Sequence, residues 1–143
     1  MGLEYKECLQ KQKIRKFIRG RSLASKELRT AESDLKRAGA TCKQKDYKWA
    51  TIQGYYAMFH SARALLYQEN FRERSHYCLI IALRELYVKT KILDASFIET
   101  LQRAKILREN ADYYERFSKE SAGKILDKAE EFLDQAKKIF KIR

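Results

Sequence analysis

Along most of this chain apolar residues recur at three- and four-residue steps with charged residues between them, the period of helices that each hide one face. The clearest case is Tyr47–Glu69, where Ile52, Tyr55, Phe59, Ala62 and Leu66 form one stripe. Gly54 interrupts its side chains. Glycine inside a helix costs about 1 kcal/mol, so its presence predicts close approach by a neighbouring helix. Before it, Leu3–Ile18 shows a thin stripe that ends at Gly20, and Ser22 is placed to cap a helix running to Lys43 through Leu23, Leu28, Ala31, Leu35 and Ala38. After a short loop at Asn70–Arg74, Ser75 is placed to cap a helix reaching Thr90, with Leu79, Leu83, Leu86 and Tyr87 inward. Ser96 and Glu99 have capping-box spacing for a helix starting near Asp94 or Ser96 and carrying Ile98, Leu101, Ile106 and Leu107. Ser118 can cap the last helix, whose apolar side runs from Ile125 to Phe140. No segment alternates with period two.

Short loops between long helices force antiparallel neighbours. The expected fold is therefore all-α, an up-and-down antiparallel helical bundle with a four-helix core plus an extra short or terminal helix. The chain has 143 residues, no proline and five glycines. This suits one domain over residues 1–143, with a basic N-terminal helical segment at 1–21 and the bundle at 22–143.

The formal net charge is +12, and it is concentrated early: residues 1–48 hold 14 Lys/Arg against 6 Asp/Glu. Lys11, Lys13, Arg15, Lys16, Arg19 and Arg21 follow one another with no acid between them. Such a field attracts phosphates or an acidic partner, and it equally describes a solvated face. Cys8, Cys42 and Cys78 are odd in number and far apart, so neither a zinc site nor a disulfide framework is expected and the thiols should be reduced. With two histidines, no metal site and no cofactor are expected. No stretch is long enough to span a membrane, which points to a cytoplasmic protein.

Three groups of residues could carry chemistry. Tyr56, His60, Arg63 and Tyr67 make a second stripe on the central helix, suited to base stacking and phosphate contact or to an ordinary amphipathic border. Ser75-His76, preceded by Arg72 and Arg74, lies at a predicted helix N-terminus that favours an anion, or is simply a cap and a surface histidine. Arg108 and Asp112 face the same way on a helix, as do Glu109 and Tyr113; a surface ion pair is the plain alternative.

The segments Gly54-Tyr-Tyr-Ala-Met-Phe-His-Ser-Ala-Arg-Ala-Leu-Leu66, Ser75-His-Tyr-Cys-Leu79 and Leu107-Arg-Glu-Asn-Ala-Asp-Tyr113 occur in that order. Together they resemble the HEPN superfamily, in the subgroup with YYAMFHAARALL, then SH, then R-x-x-A-D-Y, over about Ser22 to Phe140. The resemblance implies a four-to-five-helix bundle that often forms homodimers. It also implies a partnership with a minimal nucleotidyltransferase in a two-gene toxin–antitoxin system. Active toxins of the superfamily are metal-independent ribonucleases whose signature is Arg, four to six residues, then His. Here Arg108 plus four residues reaches Tyr113 instead. Histidine exchanges protons near neutral pH, whereas tyrosine titrates near 10.

The resulting expectation is a nucleotide- or RNA-binding module. Tyr56, His60, Arg63, Ser75, His76, Glu109 and Asn110 are its candidate binding residues. The alternatives are a ribonuclease using Arg108, Asp112 and Tyr113, with His60 or His76 nearby, and an architectural helical protein with an incidental basic face.

Overall fold

The computed structural model describes residues 1–109 and 117–142. In chain order it contains α1 (Leu3–Gln10), β1 (Ile14–Lys16), α2 (Gly20–Lys43), α3 (Tyr47–Gln68), β2 (Phe71–Glu73), α4 (His76–Leu83), a π-helical turn (Arg84–Val88), α5 (Ala95–Glu109) and α6 (Lys119–Ile142). The expected all-α bundle is what forms. The three longest helices, α2, α3 and α6, pack on one another, and α5 joins α3 and α6.

Helix α3 occupies the centre because its apolar side chains cover more than one face. Tyr55, Ala57, Met58, Ala62, Ala64, Leu65 and Leu66 are all buried. Asp46 starts it by accepting the Trp49 N–H at 3.2 Å. Gly54 does what its position predicted: a Cβ there would meet Ile125 Cγ2 at 3.0 Å and Leu126 Cδ1 at 3.2 Å, so its hydrogen lets α6 close on α3. On α6, Ile125, Ala129, Phe132, Leu133, Ala136 and Ile139 supply the facing surface. Burying a side chain such as Phe132 stabilises by about 2–3 kcal/mol. The Tyr87 hydroxyl reaches into this core and donates to the Leu65 carbonyl at 2.7 Å.

Several local expectations need correction. The first helix stops at Gln10 rather than Ile18, because Gln12 takes a left-handed φ of 55° and Lys13 N–H returns to the Cys8 carbonyl at 2.9 Å. The chain then forms β1, which pairs antiparallel with β2, Ile14 opposite Glu73 and Lys16 opposite Phe71. Strands of three residues are too short for a period of two to show. The second helix begins at Gly20, and Ser22 does not cap it but donates its hydroxyl to the Arg19 carbonyl at 2.8 Å. Gly20 is needed there because a Cβ would run into the Tyr67 carbonyl. The fourth helix gives way to the π-helical turn at Arg84 instead of continuing to Thr90.

Asp94, not Ser96, accepts at the start of α5: the Ser96 N–H donates to its carboxylate at 3.1 Å. Helix α5 buries Ile98, Leu101 and Ala104, leaving Ile106 and Leu107 exposed. Ser75 and Ser118 cap as expected, accepting from the N–H groups of Cys78 at 3.1 Å and Ser121 at 3.0 Å.

The cysteine expectation is overturned. Cys8 and Cys78 are disulfide-bonded across 70 residues, fastening α1 to the first turn of α4, while Cys42 is free. Spacing along the chain gave no sign of it, because the pair exists only once α1 folds back over α4. Among the described residues no helix is long and apolar enough to cross a membrane.

Candidate nucleic-acid interface

One face of α3 and the last turns of α5 enclose two adjoining clefts that share Arg108. The first, of about 650 Å³, is lined by Asp46, Lys48, Trp49, Ile52, Tyr56, Arg108 and Glu109. Trp49, Ile52 and Tyr56 are three and four residues apart, so one side of α3 brings them together. The second, of about 370 Å³, runs from Tyr55, Phe59 and Arg63 across Glu73–His76 to Lys105 and Arg108.

Arg108 is held by rings. Its guanidinium carbon lies 5.1 Å from the Tyr56 ring centre and 5.6 Å from that of Tyr55. A cation over a ring face is attracted without using its N–H donors. Among the described residues no carboxylate forms an ion pair with it. Glu109 pairs instead with Lys105 at 3.1 Å. Burial pushes the Tyr55 hydroxyl up to about 12, against the nearby Arg108 charge, so this tyrosine stays neutral.

His76 lies in the second cleft, its ring stacked on Phe59 at 6.1 Å with 12° between planes. Its Nε2 is buried and makes no hydrogen bond among the described residues. Burial, then the Lys105 charge, lower its pKa to about 4, with Glu109 opposing, so the ring is neutral at pH 7. Ser75, beside it, is committed to capping α4.

The other candidates are placed differently. Arg63 borders the second cleft, yet it donates twice to Glu73 Oε2, from Nε at 3.1 Å and from a terminal nitrogen at 2.8 Å. His60 turns toward α2, with Nδ1 2.6 Å from Glu27 and Nε2 3.8 Å from Asp34. Tyr67 is buried, its ring 5.0 Å from that of Phe17. Asn110, Asp112 and Tyr113 lie outside the described residues. The dense basic run from Lys11 to Arg21 lines neither cleft.

Sequence reasoning missed Trp49 and Lys105. Both were within reach of it: Trp49 lies seven residues before Tyr56 on the same helix side, and Lys105 three before Arg108. Among the described residues no group of three or more His, Cys, Asp or Glu side chains is placed to hold a metal ion.

The family model described as HEPN domain matches residues 24–139. This chain belongs to the HEPN domain family. Two proteins of Methanocaldococcus jannaschii, each bearing the name "putative toxin", are similar to it. One is 32% identical over 112 residues, covering 78% of this chain and 84% of its own length. The other is 29% identical over 115 residues, covering 79% and 78%. The HEPN match starts within α2, so it takes in α3, the Ser75–His76 cap and Arg108, and leaves out α1 and β1.

Proposed function

We propose that this HEPN chain binds RNA or nucleotide phosphate at Arg108. On this reading residues 1–143 act as one domain, as a homodimer, in a cytoplasmic toxin–antitoxin-like pair with a minimal nucleotidyltransferase. The observation that carries the binding role is the setting of Arg108. Its guanidinium rests on two tyrosine rings with its hydrogen-bond donors uncommitted to any described carboxylate. A planar fork of donors suits a phosphate, and aromatic rings beside it suit a base. Lys105 and Arg74 border the second cleft and add positive charge. The toxin names of the two relatives support the paired role, and the motif resemblance supports the nucleotidyltransferase as the partner.

The test is incubation of the purified chain with cellular RNA, with and without chelator, beside Arg108→Ala and Tyr113→His. Binding without cleavage, weakened in Arg108→Ala, is expected. An affinity for RNA that does not respond to Arg108→Ala would sink this reading.

A second reading, metal-independent cleavage, draws on one observation. The unpartnered His76 ring shares a cleft with Arg108, whereas His60 lines neither cleft. With its pKa near 4, His76 is unprotonated at pH 7 and suited only to accepting a proton. Chelator-resistant cleavage abolished in both Arg108→Ala and His76→Ala would establish it.

A further inference from the structure

Trp49 is the sole tryptophan of the chain, and the residue is 52% exposed. Tryptophan is among the most buried residue types on average. Here the next residues, Ala50 and Thr51, are buried, while Trp49 points to the exposed side of the helix. It lines the 650 Å³ cleft together with Tyr56 and Arg108. That volume falls within the range of pockets that hold ligand-sized molecules. Asp46, which lines the same cleft, is engaged in capping α3 through the Trp49 N–H.

We infer that Trp49 is the stacking platform for an unpaired nucleobase of single-stranded RNA whose phosphate is held by Arg108, an inference that rests on the binding role proposed above. Three features of the cleft favour this ligand. An exposed indole offers a large π-face, and every base has a matching one. Arg108 lies over the Tyr56 ring and pairs with no described carboxylate, which leaves its N–H fork for an anion in the cleft that Trp49 also lines. Ile52, between Trp49 and Tyr56 on the helix, gives the floor an apolar patch suited to a ring and unsuited to a second phosphate. On this inference a strand meets the cleft with a base against Trp49 and a phosphate at Arg108. Stacking of this kind is sequence-tolerant, so purine strands should bind better than pyrimidine strands only to the extent that they stack better.

Because Trp49 is the sole indole, its emission reports on the cleft alone. The full chain is titrated with a labelled oligoadenylate hexamer and with a matched abasic ribose-phosphate strand. Label anisotropy and tryptophan emission are followed together. The hexamer should quench Trp49 over the same concentrations that raise anisotropy, and the abasic strand should not quench. Trp49→Ala should weaken hexamer binding about ten-fold and leave abasic-strand binding within two-fold; Trp49→Phe, which keeps a ring, should restore most of the loss. Far-ultraviolet circular dichroism confirms that both variants keep their helices. Hexamer binding with unchanged Trp49 emission, or equal binding by Trp49→Ala, overturns the stacking role and leaves phosphate binding at Arg108 standing. Absence of hexamer binding to the native chain overturns both.

Discussion

Arg63 and Arg108 each lie over an aromatic ring beside α3, at 4.5 Å from Phe59 and 5.1 Å from Tyr56, yet they are not equivalent. Arg63 donates twice to Glu73, whose side chain is only 7% exposed, and Glu27 stands 4.0 Å away. Burial alone would lower the Arg63 pKa, but the Glu73 hydrogen bond and charge raise it. His60, one turn away, faces Glu27 and Asp34. Arg108 faces rings. A cation already satisfied by buried carboxylates cannot hold a phosphate without leaving those carboxylates unpaired, so it serves the fold. A cation oriented by rings keeps its donors for a ligand. The stripe Tyr56–His60–Arg63 is thus divided: its Tyr56 end belongs to the Arg108 clefts, and its His60–Arg63 end is a polar network joining α2, α3 and β2.

The two regions are also fastened differently, and this gives the largest expected effect. The wall of the second cleft at Ser75–His76 is braced by Cys8–Cys78, while the His60–Arg63 network is held by non-covalent pairs. A cross-link closing a 70-residue loop restricts the unfolded chain, for about 2–4 kcal/mol of stability. Reduction, or Cys8→Ser, should lower the melting temperature by roughly 5–15 °C. Hydrogen exchange should quicken first in α1 and the start of α4, not in α2. A melting curve indifferent to reductant would mean that non-covalent packing alone holds this wall.

The sharpest test of the comparison exchanges the fates of the two arginines. Arg63→Ala leaves Glu73 buried without its partner and should destabilise by about 2–3 kcal/mol in chemical denaturation, with RNA affinity nearly unchanged. Arg108→Ala should change stability by less than about 0.5 kcal/mol, since it strands no described carboxylate, and should weaken RNA binding at least ten-fold. Two variants that behave alike would mean that Arg63 and Arg108 do not differ in role. On the structural side, Glu27→Gln removes the carboxylate 2.6 Å from His60 and should cost about 1–2 kcal/mol while leaving RNA affinity within two-fold.

Helices α3 and α6 and the reason for Gly54 were legible in the sequence, because a long amphipathic stripe carries its own periodicity. The motif at Arg108 was legible through resemblance. Partnering was not. His60 and Arg63 have the same spacing as a binding stripe, and only the return of β2 brings Glu73, and that of α2 brings Glu27 and Asp34, to occupy them. The same is true of Cys8 and Cys78, and of β1–β2, whose pairing joins residues about 57 positions apart along the chain. In each case the deciding partner is distant in sequence, and local spacing carries no record of it. Trp49 differs: its spacing to Tyr56 is local and visible in the sequence, and only its exposure is not.

His76 provides the smallest effect and a separate check on the cleft. In the folded chain burial and Lys105 hold its pKa near 4, below the ordinary value of 6.5 that it regains on unfolding. Between these values the unfolded chain binds the proton and the folded chain does not. The contribution to stability is therefore complete above about pH 6.5 and is lost as pH falls toward 4. Because the ring is only partly buried, about 1 kcal/mol is expected. Carboxylates also titrate in this window, so the informative quantity is the difference between the native chain and His76→Gln. Denaturant midpoints measured from pH 7 to pH 4 should fall more steeply for the native chain than for the variant. Parallel curves would mean that the His76 ring is solvated in the folded chain, and the second cleft would then lack the dry, neutral imidazole on which a proton-accepting role beside Arg108 depends.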